Sequence, residues 1–147
     1  MSTVVVETRS PEETRALARR WGDGLRPGEV ILLEGDLGAG KTTFVKGLAE
    51  ACGVTQMVRS PTFAIMHRYR GNPDLVHIDL YREREAVSLE DLDLDPDCPE
   101  AAIVVEWPRE LAAYLWPDAT HVQIEHVDES TRRIRLPSRK GRETFTG

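Results

Sequence analysis

Gly35, Gly40, Lys41 and Thr42 stand at the spacing G-x-x-x-x-G-K-[ST] within "GDLGAGKTT", residues 35 to 43. That spacing is suited to gripping polyphosphate. Glycines let the backbone curl so that successive N–H groups along Asp36, Leu37, Gly38, Ala39, Gly40 and Lys41 aim at phosphate oxygens. A helix starting at Lys41 adds the partial positive charge of its N-terminus; the Lys41 ammonium reaches the β- and γ-phosphates, and the Thr42 hydroxyl suits Mg²⁺. Asp36 puts an acid into an anion cradle. Its amide can line the loop while its carboxylate faces the mouth of the site, toward a water or a partner. The competing reading, a structural turn that matches the motif by chance, lacks a reason for the strand before it and the helix after it.

Nucleotide hydrolysis also needs carboxylates beside the loop, at the C-terminal ends of neighbouring apolar strands. Asp79 in "LVHIDLY" and Glu106 in "AIVVEW" meet that condition. One would hold Mg²⁺, directly or through water, and the other would position the attacking water; spacing alone does not assign the two roles, and either could instead cap a turn. Ser60 and Thr62 in "SPTF" have hydroxyls in the region where such proteins keep a nucleotide-sensing switch. From chemistry alone, a plain start to a strand is an equal reading of that segment.

The guanine reader N-K-x-D is excluded, because the only asparagine is Asn72 and Pro73 follows it, so ATP is the expected nucleotide. A small-molecule kinase needs an acceptor pocket and an arginine-bearing lid, for which 147 residues leave little room. Hydrolysis coupled to a partner is more economical. A nucleotide-dependent binding module with little chemistry is the third reading.

Around these residues the chain alternates strand and helix patterns. "TVVVET" reads as a strand, and "SPEETRALARRW" as a helix with Ser10 capping, Pro11 in the first turn and Glu13 completing a capping box. "EVILLE" is an unbroken apolar run, as in a strand buried on both faces. The helix after the loop carries Phe44, Val45, Leu48 and Ala49 at helical spacing, with Gly53 placed to end it. Strands follow at 62–70, 75–81 and 102–107, then a short helix from Pro108 to Trp116. "HVQIEHV" and "RRIRLPS" alternate with a period of two about an Asp-Glu-Ser turn, which predicts an antiparallel hairpin. The fold class expected is α/β: a P-loop NTPase-like three-layer sandwich with a mixed, mostly parallel sheet core and a C-terminal antiparallel hairpin. One domain over 1–138 and a disordered tail over 139–147 are expected.

Composition agrees with a globular protein, at 40% hydrophobic and 30% charged residues. The longest aliphatic run, "AAIVV", is far too short to cross a bilayer and the first residues do not read as a secretory signal, so a cytoplasmic location is expected. Cys52 and Cys98 lack paired spacing and read as reduced thiols. A net charge of −6 argues against autonomous nucleic-acid binding. The charge is uneven: residues 83 to 100 hold eight acids and one base, and 132 to 142 hold six bases and no acid. Each is a solvated face or a docking surface. The four histidines show no metal-ligand spacing, His77 reading as packed or hydrogen-bonded, and Trp21 and Trp116 read as packing residues.

In this order and separation, "GDLGAGKTTF", "SPTF", "HIDLYR" and "VEW" resemble the bacterial TsaE (YjeE) family, over roughly residues 8 to 136. The resemblance implies an ATPase of tRNA threonylcarbamoyladenosine biosynthesis, weak alone, with Mg²⁺ as cofactor and the TsaB–TsaD complex as partner, touching tRNA through that complex and no membrane. It implies Thr42 and Glu106 as the Mg²⁺ site, Asp79 and Thr43 as also required, and Trp107 close to the nucleotide. Pro11 to Thr14 and Arg132 are implied at the nucleotide's border, and it favours the switch reading of Ser60 and Thr62. The acid-rich segment 83–100 departs from the family's pattern, which bears on partner docking rather than on the nucleotide site.

Overall fold

The computed structural model describes residues 3–35, 40–58, 66–79, 100–106 and 116–138. They form one seven-stranded sheet with strand order β1-β7-β6-β2-β5-β4-β3. In chain order the elements are β1 (Thr3–Thr8), α1 (Pro11–Gly22), β2 (Val30–Gly35), α2 (Lys41–Ala51), β3 (Met66–Tyr69), β4 (Asp74–Asp79), β5 (Ala101–Glu106), β6 (Thr120–His126) and β7 (Arg132–Pro137).

The centre is parallel, with β6, β2, β5 and β4 side by side, and both flanks, β1-β7-β6 and β4-β3, are antiparallel. Residue patterns explain the division. Every residue of β5, AAIVVE, is buried, and β2 is apolar on successive residues, as strands covered on both faces must be. β6 and β7 instead alternate: Val122, Ile124, Ile134 and Leu136 are buried. On the opposite face of that flank, Glu7, Arg133 and Glu125 lie side by side in register as ion pairs at 3.2 and 3.4 Å. Such exposed pairs add little stability, about 0–1 kcal/mol each, but they keep that face wet and fix the register.

Both helices lie on one face. Leu17, Ala18 and Trp21 of α1 and Phe44, Val45 and Leu48 of α2 close over Ile31, Leu33, Leu75, Ala102, Val104, Val122, Ile124 and Ile134. Trp21 is wholly buried against Phe44, with ring centroids 6.1 Å apart, and its Nε1–H donates to the Pro137 carbonyl at 2.9 Å. It therefore ties α1 to the end of the last strand. The other face buries Leu32, Val76, Ile78, Ile103 and Val105, with Trp116 packed against them. The short helix expected from Pro108 to Trp116 falls, up to residue 115, outside the described residues.

The expected helix ends are present. Ser10 Oγ accepts the Glu13 amide at 3.1 Å, and the Glu13 carboxylate reaches back to the amide of Arg9 at 2.8 Å, one residue earlier than a strict capping box. α2 ends at Ala51, and beyond its cap Cys52 the left-handed Gly53 stops it, the Gly53 amide donating to the Glu50 carbonyl and that of Val54 to Ala49. β2 is shifted by one residue from the sequence pattern, running over Val30–Gly35 rather than 29–34; residues 62–65, 80–81 and 107 of the other expected strands lie outside the described residues. The turn between β6 and β7 is organised by Asp128, whose carboxylate accepts the amides of Ser130 at 3.0 Å and Thr131 at 2.9 Å. Those bonds hold its carboxyl below the usual carboxylate range.

Candidate functional site

The site is assembled at one end of the sheet, where the parallel strands finish. β2 stands between β5 and β6, so the chain leaves it to build strands on both sides. At such a switch point a crevice opens beyond the carboxyl ends of the strands. Three features bring the candidate residues to that end.

First, the start of α2 differs from that of α1 in its capping. Gly40 occupies its N-cap position with φ 101° and ψ 22°, a left-handed conformation natural only to glycine, and it brings no side-chain cap. α2 also has no acid in its first turn, whereas α1 has both a serine cap and the acids Glu12 and Glu13. One helix end is neutralised by side chains of its own first turn; the other carries neither a side-chain cap nor an acid against its partial positive charge. Lys41 begins α2, is buried with 5% exposure, and its Nζ donates to the carbonyl of Gly35 at the end of β2. A lysine so enclosed is held over the strand-to-helix connection rather than spread into solvent. Thr42 and Thr43 follow in the same turn and are half-buried.

Second, the two candidate carboxylates are brought together. Asp79 and Glu106 are register partners at the ends of β4 and β5, and Glu106 is also the partner of Leu33 on β2. Asp79, Glu106 and Leu33 thus form a row one step short of Glu34 and Gly35, on the face that α2 covers. Glu106 is buried with 3% exposure, which a carboxylate tolerates only with a partner. The partner is His77: its Nε2 and Glu106 Oε2 form a short hydrogen bond between two buried groups.

Third, the distant positions share this end of the sheet. Thr8, which precedes α1 and Pro11, is the register partner of Arg132; Arg132 pairs with His126 on β6, two residues beyond the partner of Gly35. The Arg132 guanidinium donates to the carbonyls of Asp128 at 2.8 Å and Thr131 at 3.1 Å, which anchors it on the hairpin turn. Asp36, Leu37, Gly38, Ala39, Ser60, Thr62 and Trp107 lie outside the described residues, as do Cys98 and the tail 139–147.

Sequence reasoning left His77 as a packed or hydrogen-bonded residue and did not connect it with Glu106. The signal was present in part: His77 and Asp79 are two apart in a strand and so share a face. Which strand lies beside them, and in what register, is set by pairing between segments far apart in the chain. Trp21 is a packing residue as expected, and Cys52 is a buried free thiol, pushed up to about 11 by burial and, secondarily, by Glu29.

A mixed sheet of this order, with its central strand turning into a helix that carries a buried lysine at its first position, is a P-loop NTPase-like fold. The crystal structure of Bacillus subtilis YdiB is similar, with a TM-score of 0.69 and 33% identity, covering 92% of this chain and 84% of that one. A family model described as "Threonylcarbamoyl adenosine biosynthesis protein TsaE" matches residues 8–134. Proteins named "tRNA threonylcarbamoyladenosine biosynthesis protein TsaE" are similar along most of their length. The Mycobacterium tuberculosis protein is 43% identical over 133 residues, 84% of this chain and 79% of its own. That of Bacillus subtilis is 41% identical over 129 residues, 86% of this chain and 80% of its own. The chain belongs to the TsaE family.

Proposed function

We propose that this protein binds and hydrolyses Mg·ATP as the ATPase component of tRNA threonylcarbamoyladenosine biosynthesis, working with TsaB and TsaD in the cytoplasm. The observation that carries the reading is the pairing of a buried Lys41, at a helix start without side-chain cap or acid, with a carboxylate row at the ends of neighbouring strands, the buried Glu106 and the half-buried Asp79. Support for the pathway comes from the family description and from the names of relatives above 40% identity.

In this reading the amides of residues 36–43 and the Lys41 ammonium hold the phosphates, the α2 N-terminus adding its field. The donor set fits Mg²⁺: the Thr42 hydroxyl and the Glu106 carboxylate are hard oxygen donors, and among the described residues no cluster of three or more His, Cys, Asp or Glu side chains could form a protein-only cage. When bound, Mg²⁺ neutralises charge on the β- and γ-phosphates. Asp79, beside Glu106, holds and orients the attacking water, and Arg132 and the start of α1 border the nucleotide at the same end of the sheet. Ser60 and Thr62 are assigned to nucleotide sensing, and Trp107 to the nucleotide's edge. tRNA is engaged through the complex.

The test is release of phosphate from ATP by the purified protein, with and without TsaB–TsaD and with and without tRNA, for wild type and Lys41→Ala. Turnover raised by the partners and absent in the variant is expected. Repeated turnover and full tRNA modification with Lys41→Ala would overturn the reading, and phosphate appearing on a metabolite would replace hydrolysis with kinase chemistry.

A further inference from the structure

His77 is wholly buried, at 0% exposure, on the strand that ends in Asp79. Nothing in the assigned chemistry uses it. Its Nε2 engages Glu106 Oε2, and its Nδ1, also buried, has no hydrogen-bond partner among the described residues. For packing alone this is a poor choice of side chain, because leucine fills comparable space without burying two polar nitrogens.

The register shows what the bond does to Glu106. His77 is the partner of Val104, two residues before Glu106 along β5, so it sits on the inner side of the carboxylate, away from the strand ends. One oxygen is drawn inward by the imidazole. We infer that His77 is a positioning residue: by holding Oε2 it locks the Glu106 carboxylate so that Oε1 faces the end of the sheet where Gly35 and Lys41 meet, ready to serve Mg²⁺ or a water bound to it. This rests on the proposed role of Glu106 at the metal side of the site. Side chains that orient a metal-side carboxylate commonly change metal affinity about 10–100-fold when removed.

Two neutral variants separate orientation from bulk. In His77→Gln the amide nitrogen falls near the position of Nε2 and can still donate to Glu106; in His77→Asn it ends a bond short, near Nδ1, and cannot. Binding of a fluorescent ADP is titrated at graded Mg²⁺ and again in EDTA, with a thermal melt of each protein. His77→Asn raises the half-saturating Mg²⁺ about 10–100-fold, His77→Gln stays within about threefold of wild type, and ADP affinity in EDTA is unchanged in both. If the Asn protein does not melt cooperatively, His77→Phe, which fills the space without a donor, takes its place in the comparison.

Equal Mg²⁺ dependence of the donor-bearing and donor-lacking variants overturns the inference, and so does a fall in EDTA affinity as large as the fall in Mg²⁺ affinity, because that is the mark of a structural role alone. A wild type whose ADP affinity ignores Mg²⁺ overturns the reading of Glu106 itself, which is a different result from either of these.

Discussion

Gly47→Ala tests the contact on which the placement of Lys41 depends. α1 and α2 cross where Gly47 has no side chain, and a Cβ there would stand 2.5 Å from the Ala18 Cβ and 3.0 Å from the Arg19 nitrogen, with the Arg15 carbonyl closer still. Ordinary carbon–carbon contact is about 3.5–4.0 Å, so the helices must part by about 1 Å. Two of the three atoms met are backbone, so no rotamer change relieves them. Overpacking of this kind costs about 1–3 kcal/mol, and the upper end applies where backbone must move. Alanine recovers about 1 kcal/mol over glycine in a helix interior, leaving a net loss of about 2 kcal/mol. At about 2–4 °C per kcal/mol for a domain near this size, the Tm falls by about 4–8 °C. Differential scanning calorimetry measures it, with Lys46→Ala at the adjacent exposed position as a control that shifts by no more than about 0.5 kcal/mol. A Gly47→Ala protein that melts at or above the wild-type temperature would refute the close crossing, and with it the argument that α1 fixes the position of α2.

Cys52 reacts slowly with iodoacetamide near neutral pH, because burial pushes its thiol up to about 11, and reacts at the rate of an ordinary thiol in denaturant; quantifying adducts by mass spectrometry, rapid labelling of the folded protein at Cys52 would contradict this. Asp74 is held below its ordinary value by the Gly71 amide and by Arg68, and Asp128 by the amides and hydroxyls of Ser130 and Thr131. Each is depressed in the fold, so its contribution is present above about pH 4 and disappears as pH falls through the lower folded value. The double variant Asp74→Asn, Asp128→Asn therefore loses less of its own Tm than wild type between about pH 5 and pH 3, and melting curves of equal pH slope would count against both assignments.

The segment around Lys41 is legible in the sequence because it is local. A glycine-lysine pair between an apolar run and a helical pattern specifies strand, loop and helix within a short segment, and Lys41 and Gly40 stand as that pattern requires. Asp79 and Glu106 were found because each ends an apolar strand. Their adjacency was not readable, since it depends on β4 and β5 pairing in one register, and the role of His77 was hidden for the same reason. The hairpin was visible from its alternation. That its second strand continues the sheet onto β1 was not, because residues 3–8 and 132–137 meet only across the whole fold.

That last pairing orders the assembly of the chain in time. Of the described strands β1 comes earliest in the chain, yet it is bonded to β7 alone, the latest of them. Closing that pairing spans nearly the full chain and must wait for it, which places it among the slow, high-contact-order steps of folding. Until Arg132–Pro137 arrives, Val4 and Val6 have no strand beside them and β6 presents an open edge of backbone donors and acceptors. The hairpin that carries Arg132 is thus also the clasp of the fold. N-terminal fragments that end before it expose two sheet edges at once, the condition under which chains pair with each other instead of with themselves.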